Sequence, residues 1–507
     1  MASIYDSVLT APWISTPSDG VPSSDTLRLQ HEAEQSISHL LTDHLAATAP
    51  PAIHRDSHSR YLTKLLTSPL PKHFVGLDAS RPWILYWSIH SLALLDGELD
   101  PDAQRRVVDT LNRCQNPDGG FGGGPGQLSH LAPTYAAVCA LAYTGEQGWN
   151  SIDRRGMYRF LMSIKQADGS FVMHDGGEVD VRGCYCALTV ATLLNILTPD
   201  LAHNTANFIA SCQTYEGGLA SSAHPFAHGD AHAAAPLGEA HGGYAFCAAA
   251  SWAMLRALSD PLSPAFVPPL SASSPRRPQR ELDVRALLRW SASLQAMPIE
   301  GGGFRGRTNK LVDGCYSWWG GGLLPIVESL LSEGEGEGDD DDGVEERELY
   351  DRTALQQYIT LVAQAPSGGL RDKPGKPADA YHTCYNLSGA ASAQHAPRVS
   401  PRARRALCDA WTSPFAAAAL VEVGGEGGEE EEDRLEIVRG EGEGDEEAER
   451  RMREVWSRAL AWEVPPSNKV VYGDPTNELV PAHPVFNITF PHVQGMMAHF
   501  YRQPPLL

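Results

Sequence analysis

Asp313 and Cys315 in LVDGCYSWW and His382 in DAYHTCY supply a carboxylate, a thiol and an imidazole, three side chains that can bind one metal ion. Three protein donors leave the fourth position of a tetrahedral zinc open, as catalytic rather than structural zinc sites do. An open position accepts a substrate thiol and lowers its pKa enough to ionise it near neutrality. Residues two apart on a helix point about 200° away from each other. Asp313 and Cys315 can therefore share a metal only at a loop-to-helix junction, which Gly314 permits. By residue type alone, a helix cap, a buried thiol and a core histidine remain an open alternative for the same three positions.

Around these lie Arg307 and Lys310 in GRTNKLVDGCY, His241 and Tyr244 in EAHGGY, and Tyr316 beside Cys315. Two fixed cations with nearby donors suit a leaving diphosphate, whose charge grows as its bond to carbon breaks. Singly, each is also an ordinary surface charge or core aromatic. Trp83, Tyr86, Trp87, Tyr135, Tyr185, Trp318 and Trp319 are candidates for an apolar well below the cations, although aromatics at helical spacing also build plain cores. A well of this kind would hold a long prenyl chain.

The elements that must position these residues show in a repeat. A glutamine precedes a glycine turn five times: Gln115 before DGGF, Gln166 before DGSF, Gln213 before EGGL, Gln295 before EGGGF and Gln364 before SGGL. The glycines near 119, 169, 217, 302 and 368 are 50, 48, 85 and 66 residues apart. The two long intervals contain a Pro/Ser-rich stretch (259–281) and an acidic one (333–348), so the underlying period is about fifty residues. Each turn separates two helix-like apolar stretches, and Asp100-Pro101 and Thr198-Pro199 read as N-caps followed by proline. Strand-like alternation is scarce. Helical hairpins repeated at this period must stack to bury their apolar faces. The expected architecture is all-α, an α/α barrel with the helix starts after the turns gathered at one end. Free N–H groups and helix dipoles would favour an anion there.

The net charge of −22 is concentrated in two segments. Residues 333–348 and 421–450 carry −9 and −11, leaving the body near neutral. Both are Gly-rich and poor in large apolar residues, which predicts solvated insertions outside the packed core. The start, MASIYDSVLTAPW, lacks a signal-peptide pattern, and no apolar run reaches membrane-spanning length. Nine scattered cysteines do not make a disulfide scaffold. A cytoplasmic setting is expected.

From LDASRPWILYW (77–87) to HPVFNITFPHV (483–493) these motifs resemble the beta subunits of protein prenyltransferases. The resemblance implies a six-fold α-α toroid over residues 61–507, with an N-terminal helical extension at 1–60 and insertions at about 259–281, 333–348 and 393–450. It implies zinc on Asp313, Cys315 and His382, and diphosphate contacts at His241, Arg307, Lys310 and Tyr316, with Tyr316 and Lys310 also catalytic. Trp83, Tyr86, Trp87, Arg182, Tyr185, Tyr244, Trp319, Tyr381 and Tyr385 would line the prenyl and peptide groove. Trp83, Tyr385 and Asp372, the last a magnesium-associated carboxylate, resemble the farnesyl-transferring branch. The implied reaction joins the cysteine of a C-terminal CaaX motif, as on small GTPases, to C1 of farnesyl diphosphate. The implied partner is a helical-repeat alpha subunit, with no nucleic acid. Departures are Trp318 in place of phenylalanine and Ala380 where an aromatic is common. A type I geranylgeranyl enzyme, a terpene-cyclase-like barrel and a non-catalytic scaffold are the alternatives.

Overall fold

The computed structural model describes residues 24–46, 48–224, 235–258, 281–332, 348–414 and 444–503. Among the described residues, six helical hairpins form a closed double ring. The outer helices are Arg55–Thr67, Pro101–Asn112, Arg154–Ser163, Thr205–Ser211, Val284–Ala292 and Arg352–Gln357, the last running on through Tyr358–Ala363. The inner helices are Arg81–Leu94, Leu131–Leu141, Val181–Leu193, Gly242–Leu255, Ser317–Gly322 running on through Leu323–Ser332, and Ala380–His395. Each inner helix packs on the next, and the sixth packs on the first. The α/α barrel expected from the repeat is the observed fold.

Burial follows from this layering. An outer helix needs one apolar stripe, whereas an inner helix touches outer helices, its neighbours and the lumen, and so is apolar all round. Every residue of Leu131–Leu141 except Ala132 is buried. Asp100 and Thr198 cap as expected, accepting from the backbone N–H groups of Ala103 (2.8 Å) and Leu201 (3.2 Å).

The glycine turns are the joints of the ring. Gly119, Gly169, Gly217, Gly302 and Gly368 all have positive φ, and each turns its bare Cα onto the start of the next outer helix. The last of these meets Ser57, which closes the circle. The glutamines stitch the same joints. Gln295 donates to the carbonyls of Gly302 (3.1 Å) and Asp351 (2.8 Å), and Gln364 bonds Ala52 (3.0 Å) and His54 (2.8 Å) at the opposite end of the chain. In the third hairpin the bridge across the turn is Lys165 to Phe171 rather than Gln166. Lys165 Nζ bonds Thr205 Oγ1 of the next outer helix at 3.0 Å, taking the role glutamine has elsewhere. Two adjacent polar residues made the register ambiguous there by one position.

Helix Arg55–Thr67 is the outer member of the first hairpin, so the ring starts ahead of residue 61, and Asp25–Ala46 packs on its outside against 298–300 and 358–363. Most of 259–281 and 333–348, and 415–443, lie outside the described residues. The rest of the acidic stretch departs from the expected solvated insertion. Asp445–Leu460 is a helix: its Glu- and Arg-rich sequence favours one, its Ala448 and Met452 are fully buried, and Arg451 is buried as well, donating to the Leu197 carbonyl at 2.6 Å. Among the described residues, no helix is long and apolar enough to cross a membrane.

Candidate metal centre and aromatic well

Side chains at one recurring position cap the inner helices. His130, Asp180, His241 and Asp313 each accept from the N–H two residues on, at 3.1, 2.8, 3.0 and 2.9 Å, and Asp379 accepts from that of His382 at 2.7 Å. The capping places all five at one end of the ring. Cys315 and Tyr381 stand two residues after their caps, as Arg182 does. Tyr316 and His382 stand three after, as Tyr244 does.

At the fifth and sixth hairpins this register makes Asp313, Cys315 and His382 converge, with one donor atom of each lying within 4.8 Å of the others. The junction inferred for Asp313 and Cys315 is present: Asp313 and Cys315 both precede the helix, Cys315 in the turn that leads into it, where its carbonyl accepts from the N–H groups of Trp318 and Trp319. Asp379 Oδ2 bonds His382 Nδ1 at 2.7 Å, which fixes the tautomer and aims Nε2 at Asp313 Oδ1, 3.3 Å away.

The electrostatics fit a cation between these groups. Burial, then the charge of Asp313, push the Cys315 thiol well up. Burial opposes charge on His382, yet its bonds to Asp313 and Asp379 raise it to about 9. Asp313 is held low by His382 despite burial. A divalent ion among the three would satisfy the carboxylate and ionise the thiol, so the donor set suits zinc.

Beside this trio, His241 accepts the Gly243 N–H at Nδ1, which leaves its proton on Nε2, 2.9 Å from the Tyr316 hydroxyl oxygen. Burial, then Arg307, lower His241 to about 4, so it is neutral and donates to Tyr316. The Tyr316 O–H is thereby free to point outward. Arg307 pairs with Glu239, and Lys310 is exposed on the same turn, its N–H bonded to the Arg307 carbonyl. Arg182 forks onto Asp180 with two 2.8 Å bonds and lies 5.6 Å over the Tyr244 ring. Asp372 is paired with Lys373.

The lumen is lined by a closed circuit of rings drawn from all six inner helices. It runs Trp87, Trp83, Tyr135, Tyr185, Phe246, Trp319, Tyr385 and Tyr381, then back to Trp87, with centroid separations of 4.4–5.6 Å. Tyr86 and Trp318 pack against it. Three hydroxyls pin a segment across the far end: Tyr185, Tyr135 and Tyr86 donate to the carbonyls of Val485, Phe486 and Asn487 at 2.9, 3.2 and 2.8 Å. Phe246, Asp379 and Glu239 escaped the reading of the sequence. The cap register would have found Asp379, and Phe246 falls five residues after its cap, as Tyr135 and Tyr185 do.

A family model, the prenyltransferase alpha-alpha toroid domain, matches residues 53–488. The chain is 41% identical to the protein farnesyltransferase subunit beta of Pyricularia oryzae over 68% of this chain and 64% of that one. It thus spans just under two thirds of that relative's length. It is 37% identical to the protein farnesyltransferase subunit beta of Arabidopsis thaliana over 68% of this chain and 74% of that one. The Arabidopsis thaliana geranylgeranyl transferase type-1 subunit beta is more distant, at 28% identity over 66% and 83%. The chain belongs to the prenyltransferase α-α toroid family of prenyl-transferring enzymes and, within it, to the protein farnesyltransferase beta subunits.

Proposed function

We propose that this chain is the catalytic beta subunit of a cytoplasmic protein farnesyltransferase. It moves farnesyl from its diphosphate to the cysteine thiol of C-terminal CaaX motifs and works beside an alpha subunit. The observation that carries this is the convergence of Asp313, Cys315 and His382 beside an aromatic lumen and the His241–Tyr316 pair. Zinc held by the three would keep an incoming thiol ionised at neutral pH. The thiolate forms its bond to C1 as the C1–oxygen bond breaks, and that electron pair leaves on the diphosphate.

The positions of the residues support the following roles. The ring circuit holds the farnesyl chain and excludes water, with Trp83 and Tyr385 as bulky members that shorten the well. Tyr316, Arg307, Lys310 and His241 receive the diphosphate at the rim, Arg307 exchanging Glu239 for a phosphate oxygen. Asp372, here paired with Lys373, would hold a magnesium ion, which would supply charge neutralisation to the leaving diphosphate. Arg182, Tyr244 and Tyr381 border the peptide. Replacing Cys315 by Ala is expected to abolish transfer while the helical circular-dichroism spectrum is retained. Unchanged transfer in that variant would remove Cys315 from the reaction.

A further inference from the structure

The bond pattern behind Gly314 singles out a residue with no place in the roles above. Gly314 separates Asp313 from Cys315, and its N–H donates to the backbone carbonyl of Asp372 at 2.7 Å. The same carbonyl accepts the Tyr358 hydroxyl, also at 2.7 Å. Tyr358 is fully buried in the outer wall, in the Tyr358–Ala363 turn of the sixth hairpin. Its ring lies against Gly301 and Gly303, where an added Cβ would stand 3.4 and 2.8 Å from it. The Gly-rich turn 301–303 thus makes room for the ring. Asn386 holds the other side of this segment, with Nδ2 donating to the carbonyls of Arg371 (3.2 Å) and His382 (2.8 Å).

We propose that Tyr358 is a positioning residue for the metal centre. Its hydroxyl fixes the one carbonyl that both holds the Gly314 junction in place and carries the Asp372 side chain. Asp313 and Cys315 project in nearly opposite directions on a regular helix and meet only through the junction geometry at Gly314. A loosened Asp372 carbonyl frees that junction, so the two ligands spread and the ion is held less well. The proposal rests on the zinc reading of the trio and deepens it.

Tyr358→Phe removes the O–H and keeps the ring against the glycine turn. Metal-free full-length wild type and variant would be titrated with zinc against a chromophoric chelator, and their thermal unfolding compared without metal. The expected result is one zinc per wild-type chain and roughly tenfold weaker zinc binding by the variant, the scale typical of groups that orient ligands, with the metal-free unfolding midpoints matching. Equal zinc affinity in the two proteins overturns the positioning role. So does a variant whose metal-free midpoint falls sharply, since the hydroxyl would then serve general stability. A wild type that binds no zinc overturns the metal reading itself and the proposal with it.

Discussion

At the scale of single residues, the chemistry depends on pairs in which one side chain sets the state of another. Asp379 holds Nδ1 of His382 and so turns Nε2 toward Asp313. Asparagine would keep the helix cap, because it caps as well as aspartate does, but it loses the charge. Asp379→Asn is therefore expected to weaken zinc binding about 10- to 100-fold with little loss of stability, read by chelator competition. Unchanged affinity would show that the tautomer is set elsewhere. Tyr316→Phe leaves the ring contact with His241 and deletes the O–H proposed to meet the diphosphate. Its kcat is expected to fall on the order of a hundredfold, the scale of losing one oxyanion donor. Asp313, Cys315 and His382 were legible less by residue type, which left a cap, a buried thiol and a core histidine open, than by the motifs LVDGCYSWW and DAYHTCY around them. Asp379 was not, because an acidic residue at a helix start reads as an ordinary cap until the inner helices are placed in register.

At the scale of elements, glycine decides how closely inner helices approach. A Cβ on Gly389 of Ala380–His395 would overlap the Ser317 backbone of the neighbouring inner helix. Gly389→Ala is expected to cost about 3 kcal/mol or more, the upper end of the usual overpacking penalty because the clash is with backbone, in a denaturant titration. It should also disturb the turn that carries Trp318 and Trp319. Gly176→Ala is the control: that glycine has φ +70 and open space around its Cα, so the cost is confined to left-handed strain, about 1–2 kcal/mol. Equal effects of the two variants would contradict the packing role given to Gly389. The five glycine turns were legible because positive φ and close backbone approach both demand glycine. The residue equivalent to the other turn glutamines is Lys165, which Gln166 beside it concealed in the repeat. The wide helical turn Ser317–Gly322 left no recognisable sign in SWWGGG.

At the scale of the whole molecule, the ring is closed where Gln364 and His58 meet, and that closure depends on a neutral imidazole. The Gly369 N–H donates to His58 Nδ1 at 2.9 Å, and the Val485 N–H to His483 Nδ1 at 3.2 Å. Burial lowers His58 and His483 to about 4 and His90 to about 3. All three folded-state values lie below the unfolded value of about 6.5. The unfolded chain therefore takes up protons first, and stability falls as the pH drops from about 6.5 towards 4. The slope should approach 1.4 kcal/mol per pH unit for each histidine. Denaturant midpoints at pH 7 and pH 5 check this, and equal midpoints would contradict the neutral buried state. The charge of the two acidic segments suggested little about the barrel, since most of both lies outside the described residues and the helix from Asp445 is attached to the ring by its apolar face. The most direct test of the proposed activity is a competition. The co-expressed heterodimer, with zinc and magnesium, is given equal farnesyl and geranylgeranyl diphosphates and a CaaX-ending peptide, and the peptide is weighed by mass spectrometry. A predominantly farnesylated peptide, shifting toward geranylgeranyl when Trp83 is replaced by Thr, is the predicted result; a wild type that prefers geranylgeranyl, or modifies no peptide, would contradict it.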